Sequence, residues 1–588
     1  MTLAENSAMK THRFHSPSTP WALAACASVV LLAACQGSPE AADMVLTGGR
    51  VVTMAAGQPE AEAIAVSGYR ILAVGSEDEI QEYIGPDTEV IDLQGGLAIP
   101  GFIEGHGHWM GLGNAQMILD LTVAKNWNDI VAMVAEAAAQ AEPGEWITGR
   151  GWHQEKWNEV PTPNVDGVPL HAGLSRVSPN NPVNLTHASG HASFANSAAL
   201  EAAGIGADTA DPPGGTILRD ASGDPTGLLR ETAQRLVGAA ISRSEESMTA
   251  EELRARALRQ VELAGQDALS KGVTSFHDAG SSFATIDFLR ELDEADELPV
   301  RLYVMVRRES NEAMEEKLED YRIIADGNGH LTVRAIKRQI DGALGSHGAW
   351  LLEPYVDLQR GEGDAGLVLE AIDDITRTAE IALEHGFQVN THAIGARANR
   401  EVLDIYEKVF ATAPDATDLR WRIEHAQHIH PDDVPRFAEL GVIAAMQGIH
   451  ATSDGPWIDQ RLGEERARVQ SYLWRTLIDS GVTITNGTDV PVEDIAPLVS
   501  YYATVSRMMR TGERLTPEQR MTRMEALASY TINGAYAAFE EDIKGSLEPG
   551  KLADITVLSR DILTIPEAEI LDTDVLYTIV GGEVRFRR

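Results

Sequence analysis

Residues 97–108, LAIPGFIEGHGH, decide the fold class of this chain, because they form an apolar run that ends in His-Gly-His. In a β-strand, residues i and i+2 point to the same face, so His106 and His108 are expected to emerge together where the strand ends. Two neighbouring imidazoles are half of a metal site. We therefore expect the remaining ligands at the ends of later strands.

Four further candidate ligands lie in or directly after strand-like runs. FQVNTH ends in His392, RWRIEH ends in His425, VTITNGTD ends in Asp489, and VRAIKRQID contains Lys337. A bare imidazole at the end of a buried strand is costly without a partner, so a metal is one explanation for these histidines. Each residue taken alone also has an explanation without a metal. The histidines could be hydrogen-bonded core residues, and Asp489 could be the N-cap of the next helix.

Lys337 allows two interpretations. A lysine inside a barrel strand either pairs with a carboxylate, such as nearby Asp341, or is used chemically. Burial lowers the pKa of an amine, and a neutral amine can take up carbon dioxide to form a carbamate. A carbamate is an anionic oxygen ligand that can bridge two metals. The residues alone favour the ion pair.

Strand-like segments alternate with helical stretches, an order typical of a parallel α/β architecture. Helical periodicity is clear at 251–269 and 373–384. Eight strands are predicted near residues 98–103, 273–276, 301–305, 334–338, 388–391, 421–424, 443–446 and 483–487. In an eight-stranded α/β barrel the active site lies at the C-terminal ends of the strands, so all six candidate ligands are expected at one mouth.

The two ends of the chain are predicted to form one small β domain. EAIAVSGYRILAVG, broken at Ser67-Gly68, and LYTIVGGEVRF, with Gly581-Gly582 at the turn, are both typical of hairpins. The predicted fold is therefore α/β, with a (β/α)8 TIM barrel, a large insertion after its first strand, and a β-sandwich built from both termini. The predicted bounds are 98–540 for the barrel, about 110–265 for the insertion, and 43–97 with 541–588 for the β-sandwich.

The N-terminus has the features of a targeting signal. Lys10 and Arg13 precede an apolar run at residues 21–34, which is too short to span a bilayer. The run ends in Leu-Ala-Ala-Cys, which resembles a bacterial lipoprotein cleavage box. An ordinary secretory signal and a membrane anchor are the alternatives.

The lipoprotein interpretation makes Cys35 the lipidated first residue of the mature chain. Residues 1–34 are then a signal peptide of the lipoprotein type, and residues 35–42 are a short tether. Gln36, rather than Asp, follows the cysteine, which by analogy favours the outer membrane of a Gram-negative bacterium. We therefore expect an exported protein that is anchored on the periplasmic side of the cell envelope.

The composition limits the kinds of partner that the chain is expected to bind. The 588 residues carry 88 acidic and 48 basic side chains, for a formal net charge of −40. Nucleic-acid binding needs a basic footprint, so it is not expected. Because Cys26 and Cys35 are the two cysteines, the mature chain has neither a disulfide nor a cysteine-based zinc site. We expect a small-molecule substrate and membrane contact only through Cys35; the sequence leaves the oligomeric state open, a homo-oligomer included.

Long, ordered motifs resemble the amidohydrolase superfamily and, more narrowly, its YtcJ-like branch, amidohydrolase family 3. The matching segments lie between about residues 44 and 588 and include PGFIEGHGH, IKRQIDGALGS, NTHAIGARAN, RIEHAQ, NGTDVPVED and KGSLEPGKLADITVL. The resemblance implies a metal-dependent (β/α)8 barrel with a β-sandwich from both termini and a large insertion after the first strand.

The resemblance also implies a role for each candidate ligand. His106 and His108 resemble ligands of a first metal, and His392 and His425 resemble ligands of a second. Lys337 resembles a carboxylated lysine that bridges the two metals. Asp489 resembles the last-strand aspartate that binds metal and shuttles the proton.

The implied reaction is hydrolysis of a C–N bond other than a typical peptide bond by metal-activated hydroxide, with Asp489 as the catalytic residue. Imidazole-rich ligation favours Zn²⁺, at one or two positions per chain, while carboxylate and carbamate oxygens also suit manganese or iron. The substrate is expected to be a non-peptide amide or a small peptide. Candidate substrate contacts are His191, His450, Trp152 and Asp341.

Three different functions remain open at this point. The first is a deaminase of the same superfamily. The resemblance implies that such enzymes have a one-metal site and a glutamate three residues after the fifth-strand histidine, where this chain has Gly395. A carbonyl isomerase and a non-catalytic, solute-binding lipoprotein are the remaining two. The chain also departs from the family pattern at several positions. None of them is one of the six candidate ligands, and most fall where substrate contacts would lie, which leaves substrate specificity open: Glu104, Gly105, His153, Ser189, Ala396 and Gly448.

Overall fold

The computed structural model describes residues 41–358 and 364–588. The signal peptide of residues 1–34 and the lipid anchor at Cys35 lie outside the described residues and stay predictions. Within these two ranges, no helix combines the length and the apolar character that crossing a membrane requires.

Eight parallel strands form the central sheet, and each pairs with the next one along the chain. The first and last strands also lie side by side, since the N–H of Asp489, just after the last strand, donates to His106 O at 2.8 Å. The sheet therefore nearly closes into a barrel, which confirms the predicted fold class. Its strands β1 to β8 are Phe102–Gly107, Val273–Ser281, Arg301–Val306, Leu331–Gln339, Gln388–Ala393, Arg422–His425, Ile443–Gln447 and Ile484–Gly487.

Helices connect successive barrel strands. Ile372–His385 shows why they form: Ile375, Ala379 and Ala382 recur on one buried face, and the helix ends at Gly386 with φ 69°. The α-helices that follow β2 are Phe283–Glu294, Asn311–Lys317, Ile372–His385, Ala396–Phe410, Val434–Leu440, Gly448–Leu462, Glu464–Gln470, Trp474–Asp479, Pro497–Ser506, Arg523–Ser529 and Ile532–Ala537.

The barrel begins later than the sequence predicts. The expected first strand near 98–103 is divided: Leu97–Pro100 pairs with Ile555–Leu558 in a separate sheet, whereas β1 starts at Phe102. Pro100 has no N–H to continue a ladder. At Gly101 a Cβ would lie 2.1 Å from Thr274 Oγ1, so only glycine fits where the chain passes from one sheet to the other.

A second α/β layer lies between β1 and β2, within the gap that the sequence assigned to an insertion. Its six-stranded sheet has the order Gly215–Arg219, Pro225–Glu231, Ala192–Ala195, Val183–His187, Ile147–Trp152 and Leu119–Asp120. Its helices are Trp109–Ala115, Trp127–Gln140, Ala172–Val177, Ser197–Ala202, Gln234–Glu245 and Ala250–Ser270.

Of two further sheets, the first uses strands from the N-terminal part of the described chain, and the second combines strands from both ends. The first has the order Arg70–Gly75, Ala63–Ser67, Met44–Thr47 and Glu89–Asp92, and the second has the order Glu583–Arg587, Val575–Val580, Ile555–Leu558, Leu97–Pro100, Arg50–Val52 and Glu60–Ala61. Side chains of both sheets, such as Ile64 and Ile555, share one buried apolar cluster. Both hairpins predicted in these segments are present.

Candidate metal centre

Three buried side chains meet at the mouth of the barrel. His106 on β1, His425 at the end of β6 and Asp489 just after β8 have ligand atoms that all lie within 4.8 Å of one another. His425 and Asp489 adopt left-handed backbone conformations, with φ 76° and 56°. Such strain costs free energy and persists where the surrounding structure imposes it, as at functional sites.

His108 and His392 border this cluster. His108 Nε2 lies 3.2 Å from Asp489 Oδ1, and the His108 side chain is 30% exposed, so it stands at the rim. The His392 ring, on β5, packs against His425 with ring centroids 4.4 Å apart. Within the described residues, His392 Nε2 is buried and forms no hydrogen bond, and the nearest carboxylate oxygen, Asp341 Oδ1, lies 3.5 Å away. An orphaned ring nitrogen beside two other imidazoles fits a metal ligand, because burying it unpaired is costly.

Hydrogen bonds to the far ring nitrogens orient two of the imidazoles. The carboxylate of Glu424, on β6, accepts from Nδ1–H of His106, and Gln447 Oε1, at the end of β7, accepts from Nδ1–H of His425 at 2.8 Å. Each ring therefore presents Nε2 to the site. A partner behind a ligating histidine fixes its tautomer and raises its basicity.

Burial sets the protonation of the histidines and hydrogen bonding sets that of the carboxylate. Burial lowers the pKa of His106, His392 and His425 well below the usual value, so the rings are neutral, as ligation requires. Burial alone would raise the pKa of Asp489, but its hydrogen bond with His108 holds that pKa well below the ordinary range. The site thus combines neutral nitrogens with an ionised oxygen.

Lys337 lies among these groups rather than beside Asp341. It is 2% exposed on β4, and its Nζ lies 3.4 Å from His106 Nε2. Burial lowers its pKa to about 8, which leaves part of the amine neutral near neutral pH. Asp341 makes no ion pair with Lys337 in the described part of the chain. Its carboxylate instead accepts backbone N–H groups from Trp350, Ile394 and Gly395.

The structure thus brings all six sequence-predicted ligands to one end of the barrel. Neutral imidazole nitrogens, a carboxylate and a buried amine form a donor set that fits a divalent cation bound by nitrogen and oxygen. The exact ligand roles stay predictions.

A pocket of about 550 Å³ opens over this cluster, with His425 and Asp489 among its lining residues. His191, from the insertion, donates its Nδ1–H to Glu231 at 2.7 Å and lines the pocket. His450 lines it as well; Gln427 Nε2 donates to His450 Nδ1 at 3.1 Å, so the proton of the neutral ring is on Nε2. Two of the predicted substrate contacts therefore face the pocket.

The other two predicted contacts lie elsewhere. Trp152 packs in the core of the insertion, where its indole N–H donates to Leu185 O at 2.8 Å. Asp341 is fully buried, and its carboxylate accepts the three backbone hydrogen bonds described above. Its Oδ1 lies 3.5 Å from His392 Nε2. Neither residue belongs to the pocket lining.

Sequence reasoning missed Glu424, and it noted Glu104 only as a departure from the family pattern. Glu424 directly precedes His425 in RIEH, and Glu104 lies two residues before His106; both are fully buried, and Glu104 Oε1 accepts the N–H of Thr488 at 2.5 Å. A carboxylate inside an apolar strand beside a ligand histidine is a signal that could have found them.

Known proteins resemble the chain over most of its length. The model of the amidohydrolase family matches residues 89–586. A putative amidohydrolase, YtcJ, of Bacillus subtilis is 31% identical, over 92% of this chain and 99% of the relative. An N-substituted formamide deformylase of Arthrobacter pascens is also 31% identical, over 93% of this chain and 98% of the relative.

A solved structure shares the fold. The crystal structure of an uncharacterized metal-dependent hydrolase from Pyrococcus horikoshii superposes with a TM-score of 0.69 at 25% identity. The match covers 89% of this chain and 99% of that one. The architecture described above is therefore that of a metal-dependent hydrolase.

Proposed function

Because this chain belongs to the amidohydrolase family, we propose that it hydrolyses the C–N bond of a non-peptide amide or a small peptide, at the mouth of its barrel. The similarity to an N-substituted formamide deformylase supports formamides as the first substrate class to test. The observation that carries the proposal is the buried cluster of His106, His425 and Asp489, whose ligand atoms lie within 4.8 Å of one another at the floor of a pocket.

A divalent cation would be held by this cluster, together with His108 and His392. When bound there, it supplies Lewis acidity that polarises the substrate carbonyl and lowers the pKa of water. We propose Zn²⁺, at one or two positions per chain, because the donors are mainly imidazoles. We also propose that Lys337 carries a carbamate, since its buried amine lies 3.4 Å from His106 Nε2.

The chain's own residues then handle the proton and the substrate oxygen. Asp489, ionised and in contact with His108, accepts the proton of the attacking water and later gives it to the leaving amine. His450 Nε2–H, which is buried without a partner among the described residues, donates to the substrate carbonyl oxygen. His191, held by Glu231, stands on the insertion side of the pocket and orients the substrate.

The deaminase alternative is disfavoured by the position after β5. Superfamily deaminases are expected to have a glutamate where this chain has Gly395. A Cβ at Gly395 would lie 2.1 Å from Trp350 O, so the backbone leaves no room for a side chain. A carbonyl isomerase and a solute-binding protein stay as alternatives that activity measurements decide.

We propose that the protein is exported and works in the cell envelope, attached through lipid at Cys35. The apolar run at residues 21–34 and the Leu-Ala-Ala-Cys sequence support this location. The proposed partner is a small-molecule amide.

The experiment is an amide panel on the metal-loaded, full-length protein in mild detergent. N-substituted formamides, N-acyl amino acids, dipeptides and cyclic amides are offered with zinc or manganese, and mass spectrometry detects the released amine. His106→Ala is the blank. The matched control is His385→Ala, because His385 ends a helix that leads into the start of β5, at the opposite end of the barrel from the cluster.

We expect at least one amide to be cleaved by the wild-type and His385→Ala proteins and not by His106→Ala. Cleavage by His106→Ala at the wild-type rate would refute the site. Conversion of a panel compound without release of an amine would instead support an isomerase, and binding without conversion would support a solute-binding protein.

A further inference from the structure

One wall of the pocket is a single helix face. The helix Gly448–Leu462 presents His450, Asp454 and Trp457 to the pocket, at the i, i+4 and i+7 spacing of one helical face. The His450 ring stacks on that of the candidate ligand His425, with centroids 6.4 Å apart. Asp454 lies one helical turn further along, about 6 Å along the axis. The wall therefore extends from the metal cluster towards the far part of the pocket.

Asp454 is a carboxylate held in this wall without a cationic partner. Its Oδ2 accepts the hydroxyl hydrogen of Tyr472 at 2.9 Å, and the N–H of Tyr472 is in turn fixed by Gln427 O at 2.7 Å. Within the described ranges no lysine, arginine or histidine nitrogen forms an ion pair with Asp454. Burial disfavours the charged form and raises the pKa of Asp454 to about 6.

The remaining charged groups at this end of the pocket compensate one another. Lys156 Nζ lies 3.7 Å from Glu493 Oε1, and both residues line the pocket. Arg461, whose guanidinium lies 5.7 Å from the Trp457 ring, is paired with Asp357 and Glu155. Outside the metal cluster, Asp454 is therefore the charged side chain of this helix face that has no ion-pair partner among the described residues, and its charge is negative.

We propose that Asp454 selects substrates that carry a protonated amine or a guanidinium at the end remote from the scissile amide. This inference rests on the proposed function of the pocket. A cation placed against Asp454 gains a charge-assisted hydrogen bond in a half-buried site, where water screens it less than at the surface. The indole of Trp457, three residues along the same helix, offers an apolar face for the alkyl stem that carries the cation.

The test uses binding, so that it does not depend on turnover. Three methanesulfonamides of equal chain length serve as non-hydrolysable amide analogues; their far end is an ammonium, a methyl or a carboxylate group. Calorimetry gives Kd for each on the metal-loaded, full-length protein. The variants are Asp454→Asn and, as the matched control, Asp459→Asn, because Asp459 is exposed on the same helix and outside the pocket.

The ammonium compound should bind roughly tenfold tighter than the methyl compound, as expected for one hydrogen bond to a charged group, and the carboxylate compound should bind most weakly. Asp454→Asn should remove this preference, and Asp459→Asn should retain it. Equal affinities in the wild type, failure of the ammonium compound to bind, or a preference that survives in Asp454→Asn would each overturn the inference.

Hydrolysis of the matching formamides separates this inference from the proposed function. If all three formamides are cleaved at equal kcat/KM and the analogues bind equally, the proposed hydrolase function is supported and the role of Asp454 is refuted. If the ammonium analogue binds preferentially but no amide is cleaved, the role of Asp454 is supported and the proposed hydrolase function is refuted.

Discussion

Glu424 and His106, on barrel strands β6 and β1, are joined by a hydrogen bond between the Glu424 carboxylate and His106 Nδ1, and both side chains are almost fully buried. The bond fixes the imidazole with Nε2 turned towards Asp489, 3.5 Å away. A charged acceptor behind the ring also makes Nε2 a stronger donor of electron density to a metal. The cluster is thus oriented before any ligand binds.

Replacing the charge of Glu424 should weaken metal binding. We expect Glu424→Gln to lower the affinity for zinc by about 10- to 100-fold, because the amide can still accept a hydrogen bond but no longer carries a charge. Competition with a chromophoric chelator measures the affinity. Glu384→Gln, at an exposed position on the outer helix Ile372–His385, should bind zinc like the wild type. Equal affinities for all three proteins would contradict the role assigned to Glu424.

Lys337 should be needed for full metal occupancy. We expect Lys337→Ala to bind fewer zinc ions per chain and to lose most of its activity, because the alanine cannot form a carbamate. Added short-chain carboxylic acids should restore part of the activity by supplying the missing oxygen ligand. Metal analysis and the same amide assay provide the measurements, with the exposed Lys408→Ala as control. Unchanged metal content and activity in Lys337→Ala would leave the lysine as a structural residue.

The backbone around Gly395 should tolerate no side chain. A Cβ there would lie 2.1 Å from Trp350 O, so we expect Gly395→Ala to lower the free energy of unfolding by about 1–3 kcal/mol through overpacking. Gly238→Ala, in the helix Gln234–Glu245 with nothing within 4 Å of the added Cβ, should be neutral or slightly stabilising. Urea unfolding of the two variants compares them directly. A Gly395→Ala protein as stable as the wild type would show that the loop can move aside.

The lipid anchor is testable on the intact chain. In a Gram-negative host we expect Cys35 to incorporate a labelled fatty acid and the protein to sediment with the outer membrane. Cys35→Ser should remove the label and release the protein from the membrane fraction. Cys26→Ser, inside the apolar run, serves as the control. Labelling that persists in Cys35→Ser would place the modification elsewhere.

The parts of the fold that follow a regular period were predictable. The eight barrel strands are apolar runs separated by helical periodicity, and all eight are present near the predicted positions. The boundary at Pro100 and Gly101 was not predictable, because the sequence is apolar on both sides of it. The strand is divided where Thr274, which is distant in sequence, closely approaches Gly101. The order of strands in the insertion likewise depends on long-range pairing, as between Ile147–Trp152 and Val183–His187.

The candidate site shows the same division. The candidate ligands could be predicted because each lies in or directly after an apolar strand, and the C-terminal ends of such strands share one mouth. The partners of those residues could not be found in this way: Gln447 bonds His425 between the neighbouring strands β7 and β6, and Glu424 bonds His106 across the barrel, from β6 to β1. Asp341 was expected to contact the substrate or Lys337, but its carboxylate accepts three backbone N–H groups. These come from residues that are not adjacent to it in sequence, so no local sequence pattern predicts them. Trp152 illustrates the usual role of a buried indole, which is packing.

The most direct test of the central claim is to titrate zinc into the chelator-treated, full-length protein while amide hydrolysis and bound metal are both measured. We predict no hydrolysis without metal, activity that rises in proportion to the first one or two bound equivalents, and neither tight binding nor activity in His106→Ala. Hydrolysis that proceeds without metal, or a His106→Ala protein that binds zinc and cleaves the amide like the wild type, would contradict the account.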